Sequence, residues 1–241
     1  MKIMVCSYSG TVGKTTIVGN VLHPMLPTAT IYAIETVNET AKSLGLPIKQ
    51  LSGKQYQEYY KQLLLEENAI IDVGASNIEE LLNGLIRYEG SHLEIDFFII
   101  PVLSGTKEQK EAIALAKLLR DLGIEADKIR IIFNRVQHDV HDEFQALLSY
   151  LEKEQLCWYN PEVAIYENEL FDLLMAKNTS LCEIQNDLTN YRELLMQTPL
   201  EEETKRRQYI ARHLMQSLAR GVTKNLRYVY EQLIPAEVTH D

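Results

Sequence analysis

Features that define three large classes of protein are missing from this sequence of 241 residues. No apolar run approaches the roughly 18 residues that a membrane-spanning helix needs, so we expect no membrane span. Nothing at the N-terminus resembles a signal peptide, because a glycine-containing motif begins too early to leave room for one. The three cysteines show neither CxxC spacing nor histidines at zinc-ligand spacing, which disfavours a zinc site. We therefore expect a cytoplasmic protein whose thiols are reduced and buried.

The composition that is present is typical of a packed globular chain. Hydrophobic residues make up 46% of the sequence and charged residues 24%, so a sizeable core is expected rather than disorder. The formal net charge of -10 disfavours non-specific nucleic-acid binding by the whole surface. The length suits one large α/β domain with a helical extension and is too short for two large domains.

Apolar runs and segments with helical spacing alternate along most of the chain. The apolar runs cover residues 2–7, 29–36, 69–74, 97–102, 129–134 and 163–166. Helical spacing covers 14–22, 54–66, 77–88, 106–122 and 140–154, and then 168–176, 180–196 and 200–233 without further strands. The alternation predicts βαβ units and a parallel, twisted sheet with helices on both faces. We expect this domain over 1–175 and a helical extension over 176–241, packed on it or on a partner.

The strongest motif is a glycine-containing loop between the first strand and the first helix. Its candidate phosphate-binding residues are Gly10, Thr11, Val12, Gly13, Lys14, Thr15 and Thr16. Glycines let main-chain N–H groups turn toward phosphate oxygens, and the following helix presents its free N–H groups to the same anion. Lys14 can reach the β- and γ-phosphates as a binding and catalytic residue, and the Thr15 hydroxyl can ligate Mg²⁺. The motif therefore predicts a P-loop that binds ATP and Mg²⁺, although Tyr8 stands where the standard spacing has a glycine.

Asp72 is the candidate second metal residue. It follows an apolar run and precedes Gly74, and P-loop proteins use an acidic strand-end residue to hold the Mg²⁺ water shell. The alternative is that Asp72 caps the helix that begins near residue 77. Ser76 and Asn77 are better caps for that helix, which favours the metal role.

The loop resembles the deviant Walker motif of the ParA/MinD family, Lys-Gly-Gly-x-Gly-Lys-[Ser/Thr]-Thr. The matching positions are Gly10, Gly13, Lys14, Thr15 and Thr16. The resemblance implies a P-loop NTPase fold of the ParA/MinD type and a nucleotide-dependent homodimer. Ser9 replaces the family's signature lysine, and Thr11 replaces its second glycine. In that family the signature lysine reaches the partner's nucleotide, so Ser9 argues against that contact or moves it elsewhere.

The resemblance also implies a water-positioning residue at the end of the second strand, where the family has Asp-x-Asp. Glu35 occupies the first of these positions and Val37 the second. Valine can neither orient water nor accept a proton, so the chain either hydrolyses ATP slowly or uses Glu35, Asn38 or Glu39 instead. Glu35 is our candidate catalytic residue, and the alternative is a structural carboxylate near the phosphates.

Asn134 and Arg135 are the candidate base-binding residues. They end the strand over 129–134, and in the family an asparagine at this place reads the adenine edge. A side-chain amide suits that role because it donates and accepts hydrogen bonds together. The alternative for this position is an ordinary strand-end turn.

The opening segment resembles the StbB plasmid-stability proteins of conjugative plasmids, most specifically over residues 1–38 and more loosely over about the first 175. These are ParA-like ATPases that lack the signature lysine. The resemblance implies a role in plasmid stability, partition, positioning or conjugative transfer, together with a DNA-binding partner encoded on the plasmid.

Three functions stay open on the sequence. The first is a slow ATPase that acts as an ATP- and Mg²⁺-dependent switch. The second is a nucleotide-binding module that recruits a plasmid-partition partner without hydrolysis, which Ser9 and Val37 favour. The third is a small-molecule kinase or ligase of the dethiobiotin-synthetase type, which would need a substrate pocket that the sequence does not identify.

The last predicted helix is strongly basic. No acidic residue lies between Thr204 and Tyr230, in a chain whose net charge is -10. The basic residues are Lys205, Arg206, Arg207, Arg212, Arg220, Lys224 and Arg227. They fit a solvated face, a contact with a protein partner or second copy, a direct DNA contact or a membrane surface, and the sequence leaves all of these open.

Overall fold

A parallel sheet of seven strands forms the centre of the molecule in the computed structural model, which describes residues 1–34, 47–51, 56–177 and 179–235. The strands are β1 Lys2–Val5, β2 Thr30–Ile34, β3 Ile48–Leu51, β4 Ala69–Val73, β5 Phe97–Val102, β6 Ile129–Val136 and β7 Ala164–Tyr166. Their order is β3-β2-β4-β1-β5-β6-β7, and every neighbouring pair is parallel. The predicted parallel α/β fold is confirmed.

Ten α-helices connect or follow these strands within the described residues. They are α1 Lys14–Ile17, α2 Tyr56–Leu65, α3 Ile78–Arg87, α4 Thr106–Asp121, α5 Val140–Glu143, α6 Gln145–Glu154, α7 Glu169–Lys177, α8 Leu181–Asn186, α9 Tyr191–Gln197 and α10 Glu203–Leu233. α1 continues directly into a π-helical segment, Val18–Leu22. Short 3₁₀ turns cover Ala75–Asn77, Ser91–Glu94 and Ala126–Lys128.

Helices cover both faces of the sheet, as predicted. Buried side chains of α2, α3, α4 and α6 form one core with one face, and those of α1, α7, α8 and α10 form a second core with the other. Because the central strands are buried on both faces, β4 and β5 are continuous apolar runs interrupted only by Asp72 and Pro101.

The long helix α10 belongs to the second core. Met215, Leu226 and Leu233 are buried there. Asn225 Nδ2 also donates a hydrogen bond of 3.0 Å to the main-chain oxygen of Ala164 on β7. The described part of the helical extension therefore packs on the same sheet face as α1.

Three elements differ from the prediction: one strand was not predicted, and two predicted helices are each divided. β3 was not predicted, because this edge strand is apolar only at its two ends and is recognisable by its pairing with β2. The helix predicted over 140–154 breaks at Phe144, whose buried ring packs against the core. The helix predicted over 180–196 is two helices, since the Asp187 side chain bonds a main-chain N–H in the intervening turn and Asn190 caps α9.

The structure also bears on the expectation that the thiols are buried and on the expectation that no helix spans a membrane. Cys6 and Cys157 are buried, but Cys182 is exposed because it lies on the outward side of α8, so the expectation of buried thiols was wrong for that residue. Within the described ranges, no helix combines the length and the apolarity needed to cross a bilayer.

The sheet order brings the ends of two central strands together. β1 lies between β4 and β5, and Val5 at the end of β1 is in register with Asp72 on β4. In open parallel sheets, ligands bind beyond the carboxyl ends of the strands where the strand order reverses. The glycine-containing loop and Asp72 therefore lie side by side at the edge where a ligand site is expected.

Candidate nucleotide-binding site

The loop that joins β1 to α1 contains a turn that requires glycine. Gly13 has φ 84° and ψ 26°, in the left-handed region that L side chains disfavour. A Cβ built on Gly13 would also stand 2.5 Å from Asn134 Nδ2, closer than real contacts allow. Gly10 is exposed, and a Cβ built there would meet nothing within 4 Å. Glycine is thus required at position 13 by backbone conformation and by packing.

Lys14, the first residue of α1, is buried with its ammonium group folded back over the loop. Its Nζ donates hydrogen bonds of 2.9 Å to Ser7 Oγ and 2.9 Å to the main-chain oxygen of Ser9. Its relative exposure is only 5%. A buried cation at the start of a helix, beside main-chain amides of a glycine-containing loop, is a favourable site for an anion such as a polyphosphate.

The other loop residues differ in exposure. Thr11 is exposed and Val12 is buried, with its main-chain oxygen bonded to Asn134. Thr16 is partly buried, and its main-chain oxygen accepts a hydrogen bond of 3.1 Å from Asn20 Nδ2. The seven residues that the sequence predicts as phosphate ligands therefore comprise the loop over 10–13 and the first three residues of α1.

Thr15 and Asp72 meet directly. Thr15 Oγ1 donates a hydrogen bond of 2.7 Å to Asp72 Oδ2, although 57 residues separate them in the chain. A hydroxyl and a carboxylate side by side are hard oxygen ligands, which Mg²⁺ prefers, and Mg²⁺ keeps several waters when one or two such groups bind it. The two residues predicted as metal ligands thus fit a magnesium site.

The carboxylate of Asp72 is held away from solvent. Burial raises its pKa above the ordinary aspartate value, while the Thr15 hydrogen bond and the Lys14 charge act in the opposite direction. A desolvated carboxylate is stabilised by a cation placed next to it. The local electrostatics therefore also favour a metal ion at Asp72.

Asn134 contacts the phosphate loop itself. Its Nδ2 donates to the main-chain oxygen of Val12 at 2.7 Å, and its Oδ1 accepts from the N–H of Arg135 at 3.0 Å. Arg135 is exposed and has a left-handed φ of 52°, at an irregularity in the pairing of β6 with β7. The amide thus braces the loop, while the Arg135 side chain projects from the strand end toward solvent. The predicted adenine contact stays a prediction.

Glu35, the candidate catalytic residue, lies outside the described residues, as do Val37, Asn38 and Glu39. β2 ends at Ile34, whose main-chain oxygen accepts a hydrogen bond of 2.9 Å from Gly74 N–H. Glu35 therefore follows a strand that is paired with β4 next to the site.

Ser7 is a site residue that the sequence reasoning missed. It is buried, it accepts from Lys14 Nζ at 2.9 Å, and it donates to the main-chain oxygen of Ser9 at 2.7 Å. The available signal was a small polar residue directly after a buried strand. The neighbouring Cys6 is buried, and burial raises the pKa of its thiol to about 12 despite the nearby Lys14 charge, which disfavours the thiolate.

The fold is similar to solved structures at low sequence identity. Apo McdA from Cyanothece aligns with TM-score 0.53 and 16% identity, covering 76% of this chain and 92% of that chain. A chain of the MinC:MinD cell division protein complex from Aquifex aeolicus aligns with TM-score 0.53 and 13% identity, covering 76% and 88%. An ATP complex of a single-substitution variant of Cyanothece McdA aligns with TM-score 0.50 and 17% identity, covering 76% and 90%. The chain therefore has a ParA/MinD-like P-loop fold.

Sequence comparison adds no family assignment. The chain matches no protein-family model and no curated protein sequence. At 13% to 17% identity the structural likeness establishes the fold alone.

Proposed function

We propose that this protein binds ATP and Mg²⁺ in its P-loop and uses the nucleotide as a switch in plasmid stability, positioning or conjugative transfer. The observation that carries the nucleotide site is the 2.7 Å contact between Thr15 and Asp72 beside the buried Lys14. Oxygen ligands for Mg²⁺ and an ammonium group for phosphate stand next to each other at the start of a helix. One of the similar structures is an ATP complex, which supports the choice of nucleotide.

Each site residue has a distinct part in this proposal. Main-chain N–H groups of residues 10–16 bind the phosphates, and Lys14 compensates charge on the β- and γ-phosphates. Thr15 and Asp72 hold Mg²⁺, which in turn neutralises the phosphate oxygens. Asn134 and Arg135 border the base.

The proposed hydrolysis is slow. Glu35 is its candidate catalytic residue. Val37 occupies the position at which the ParA/MinD family, which the loop resembles, has the residue that positions the attacking water. The same valine favours a second candidate function, a module that binds nucleotide and recruits a partner without hydrolysis. In either case a nucleotide-dependent homodimer and a plasmid-encoded DNA-binding partner complete the proposal.

Calorimetric titration with ATP in the presence and absence of Mg²⁺ tests the binding site. We expect Lys14→Met to lower ATP affinity roughly 100-fold, about 2.7 kcal/mol, because a charge-assisted contact is lost from a buried site. Lys107→Met is the matched control, because Lys107 is an exposed lysine on α4. Unchanged binding in the Lys14 variant, with unfolding temperatures equal to the parent protein, would overturn the nucleotide site.

Release of phosphate under single-turnover conditions separates the two candidate functions. We expect slow turnover that Glu35→Gln reduces and Lys14→Met abolishes. ATP that stays intact on the protein over many hours would instead assign the non-hydrolysing module.

The cellular role is tested by plasmid retention without selection. We expect cells that make Lys14→Met to lose the plasmid faster than cells that make the parent protein at equal level. Equal retention would reject the plasmid role and leave the nucleotide site untouched.

A further inference from the structure

A groove of about 860 Å³ runs between α10 and the segment that joins α8 to α9, and no P-loop residue lines it. The segment between α8 and α9 forms the second wall, and Gln216 of α10 holds it in place. Gln216 Nε2 donates to the main-chain oxygen of Asp187 at 2.7 Å and to that of Thr189 at 3.2 Å. The groove is therefore built from regular helix on one side and a hydrogen-bonded turn on the other, so its shape exists before a ligand arrives.

Three cations line the α10 wall of this groove. Arg220, Lys224 and Arg227 are exposed and spaced four and three residues apart, which places them on one side of the helix with neighbouring Cβ atoms about 5–6 Å apart. Arg220 donates to the neutral Ser217 hydroxyl at 2.9 Å. Within residues 179–235, none of these three cations forms a salt bridge, whereas Lys205 and Arg207 near the start of α10 pair with Glu202 and Glu203.

Asp187, the acidic residue that lines the groove, forms no salt bridge with these three cations within the described residues. Asp187 accepts hydrogen bonds from the N–H of Thr189 at 3.1 Å and from the Tyr191 hydroxyl at 2.7 Å, so both carboxylate oxygens are engaged within the turn. These hydrogen bonds hold the pKa of Asp187 below its usual value. Within the described residues, the three cations therefore form no ion pair with the carboxylate that lines the same groove, in a chain whose net charge is -10.

The opposite wall offers an apolar contact. Leu188 is 92% exposed at the tip of the turn, and Ile184 is buried at the base of the groove. Leu188 therefore offers an apolar contact at the rim of the groove that carries the three cations. A ligand that matches both walls needs carboxylates at helical spacing and an apolar side chain beside them.

We propose that this groove docks an acidic amphipathic helix of a partner protein, with carboxylates facing Arg220, Lys224 and Arg227 and a leucine-sized side chain on Leu188. A DNA duplex fits less well. Its phosphates would contact only a short row of cations on an acidic protein, and its backbone has no apolar group to pack against the exposed leucine at the rim. This partner surface goes beyond the proposed nucleotide switch, and its test needs no nucleotide.

Fluorescence anisotropy with two synthetic peptides tests the docking. Each peptide is a helix of about 18 residues with a leucine on the face that carries three identical charged residues, spaced four and three apart. One peptide carries glutamate at the three places and the other carries lysine. We expect the glutamate peptide to bind about tenfold more tightly than the lysine peptide, with an affinity that falls as salt rises.

Variants assign the binding to the groove. We expect Lys224→Glu to weaken the glutamate peptide about tenfold and Leu188→Ser to weaken it several-fold. Lys205→Glu, on the same helix but already paired with Glu202, is the matched control and should change affinity less than about twofold. The triple variant R220E/K224E/R227E should bind the lysine peptide instead, which a merely misfolded protein could not do.

Several results would overturn the proposal. Equal affinity for the two peptides, or full binding of the glutamate peptide by R220A/K224A/R227A, would show that the three cations do not select an acidic partner. Competition by a short DNA duplex that depends on the same three residues would assign the groove to nucleic acid. Concentration-dependent self-association that K224E abolishes would assign it to a second copy of the chain.

Discussion

The side-chain amide of Asn134 and the main-chain oxygen of Val12 lie 2.7 Å apart, although 122 residues separate them in the sequence. The contact joins the end of β6 to the phosphate loop after β1. Both residues are buried, so water does not readily replace either partner. The end of β6 therefore supports the main-chain conformation on which the proposed phosphate binding depends.

Asn134→Asp removes the amide donor and keeps the shape of the side chain. We expect the ligand-free protein to lose about 1–3 kcal/mol of unfolding free energy, because a buried acceptor would face a second acceptor. At about 2–4 °C per kcal/mol for a chain of this size, the loss is visible as a lower Tm. Asn168→Asp is the control, because the Asn168 side chain accepts through Oδ1 from Leu170 N–H, and an aspartate can accept in the same way. Equal Tm shifts in the two variants would refute the bracing role.

Gly13→Ala tests the same junction from the loop side. We expect it to destabilise the protein by more than the ~1 kcal/mol that a left-handed φ alone costs, because its Cβ would clash with Asn134. Gly123→Ala shares the strain without the clash, since Gly123 has φ 87° and nothing within 4 Å of an added Cβ. Urea unfolding should also show that Asn134→Ala relieves part of the Gly13→Ala loss. Strictly additive losses in that double variant would contradict the clash.

Thr15→Val tests the metal site by removing one hydroxyl at nearly constant volume. We expect the gain in ATP affinity on adding Mg²⁺ to fall about tenfold or more, ~1.4 kcal/mol per tenfold, because one oxygen ligand is lost. Thr15→Ser keeps the hydroxyl and should retain most of the gain. Isothermal titration with and without Mg²⁺ measures both, and identical behaviour of the valine and serine variants would rule out Thr15 as a ligand.

Asp72 makes the stability of the ligand-free protein depend on pH. Burial raises the folded-state pKa of Asp72 above its unfolded-state value, so its contribution to stability is fully present below the unfolded pKa and is lost as pH rises through the folded pKa. We therefore expect Asp72→Asn to gain stability relative to the parent protein at neutral pH, and this difference to shrink in acid.

Urea unfolding at neutral and acidic pH measures this difference, and Mg²⁺-ATP should stabilise the parent protein more than the Asp72→Asn variant. Asp96→Asn is a suitable control, since Asp96 accepts from the N–H of Lys2 at the start of β1, the opposite end of that strand from the P-loop. An Asp72→Asn variant that loses more stability at neutral pH than in acid would contradict the assigned direction of the pKa shift.

Arg135→Gly separates backbone strain from a ligand contact. Glycine adopts the left-handed φ of 52° without strain, so we expect the variant to be more stable by up to about 1 kcal/mol. Its ATP affinity should nevertheless fall if the Arg135 side chain borders the nucleotide as proposed. Gln155→Gly, at a φ of 47°, should be stabilised similarly with unchanged ATP affinity. Unchanged affinity in both variants would remove Arg135 from the site.

Local sequence was sufficient for most strands of the sheet and for the position of the glycine-containing loop between β1 and α1. The strands that are buried on both faces, such as β4 and β5, are short continuous apolar runs, and the loop is recognisable from glycines and a lysine within seven residues. β3 escaped prediction because its pattern has meaning only beside β2. The helix over 180–196 was divided by side-chain hydrogen bonds of Asp187 and Asn190 that compete with helical ones.

The sequence by itself determined which groups can meet a phosphate and a metal, because that chemistry resides in Lys14, Thr15 and the glycines of one short segment. Only the tertiary structure decided their neighbours: Asp72 beside Thr15, Asn134 beneath Val12, and Ser7 with the Lys14 ammonium. The first two contacts form because parallel strands place distant strand ends at one edge of the sheet, whereas Ser7 and Lys14 lie at the two ends of the same loop. Which distant residues become neighbours at this edge cannot be read from their positions in the sequence, because it depends on the order of the strands in the sheet.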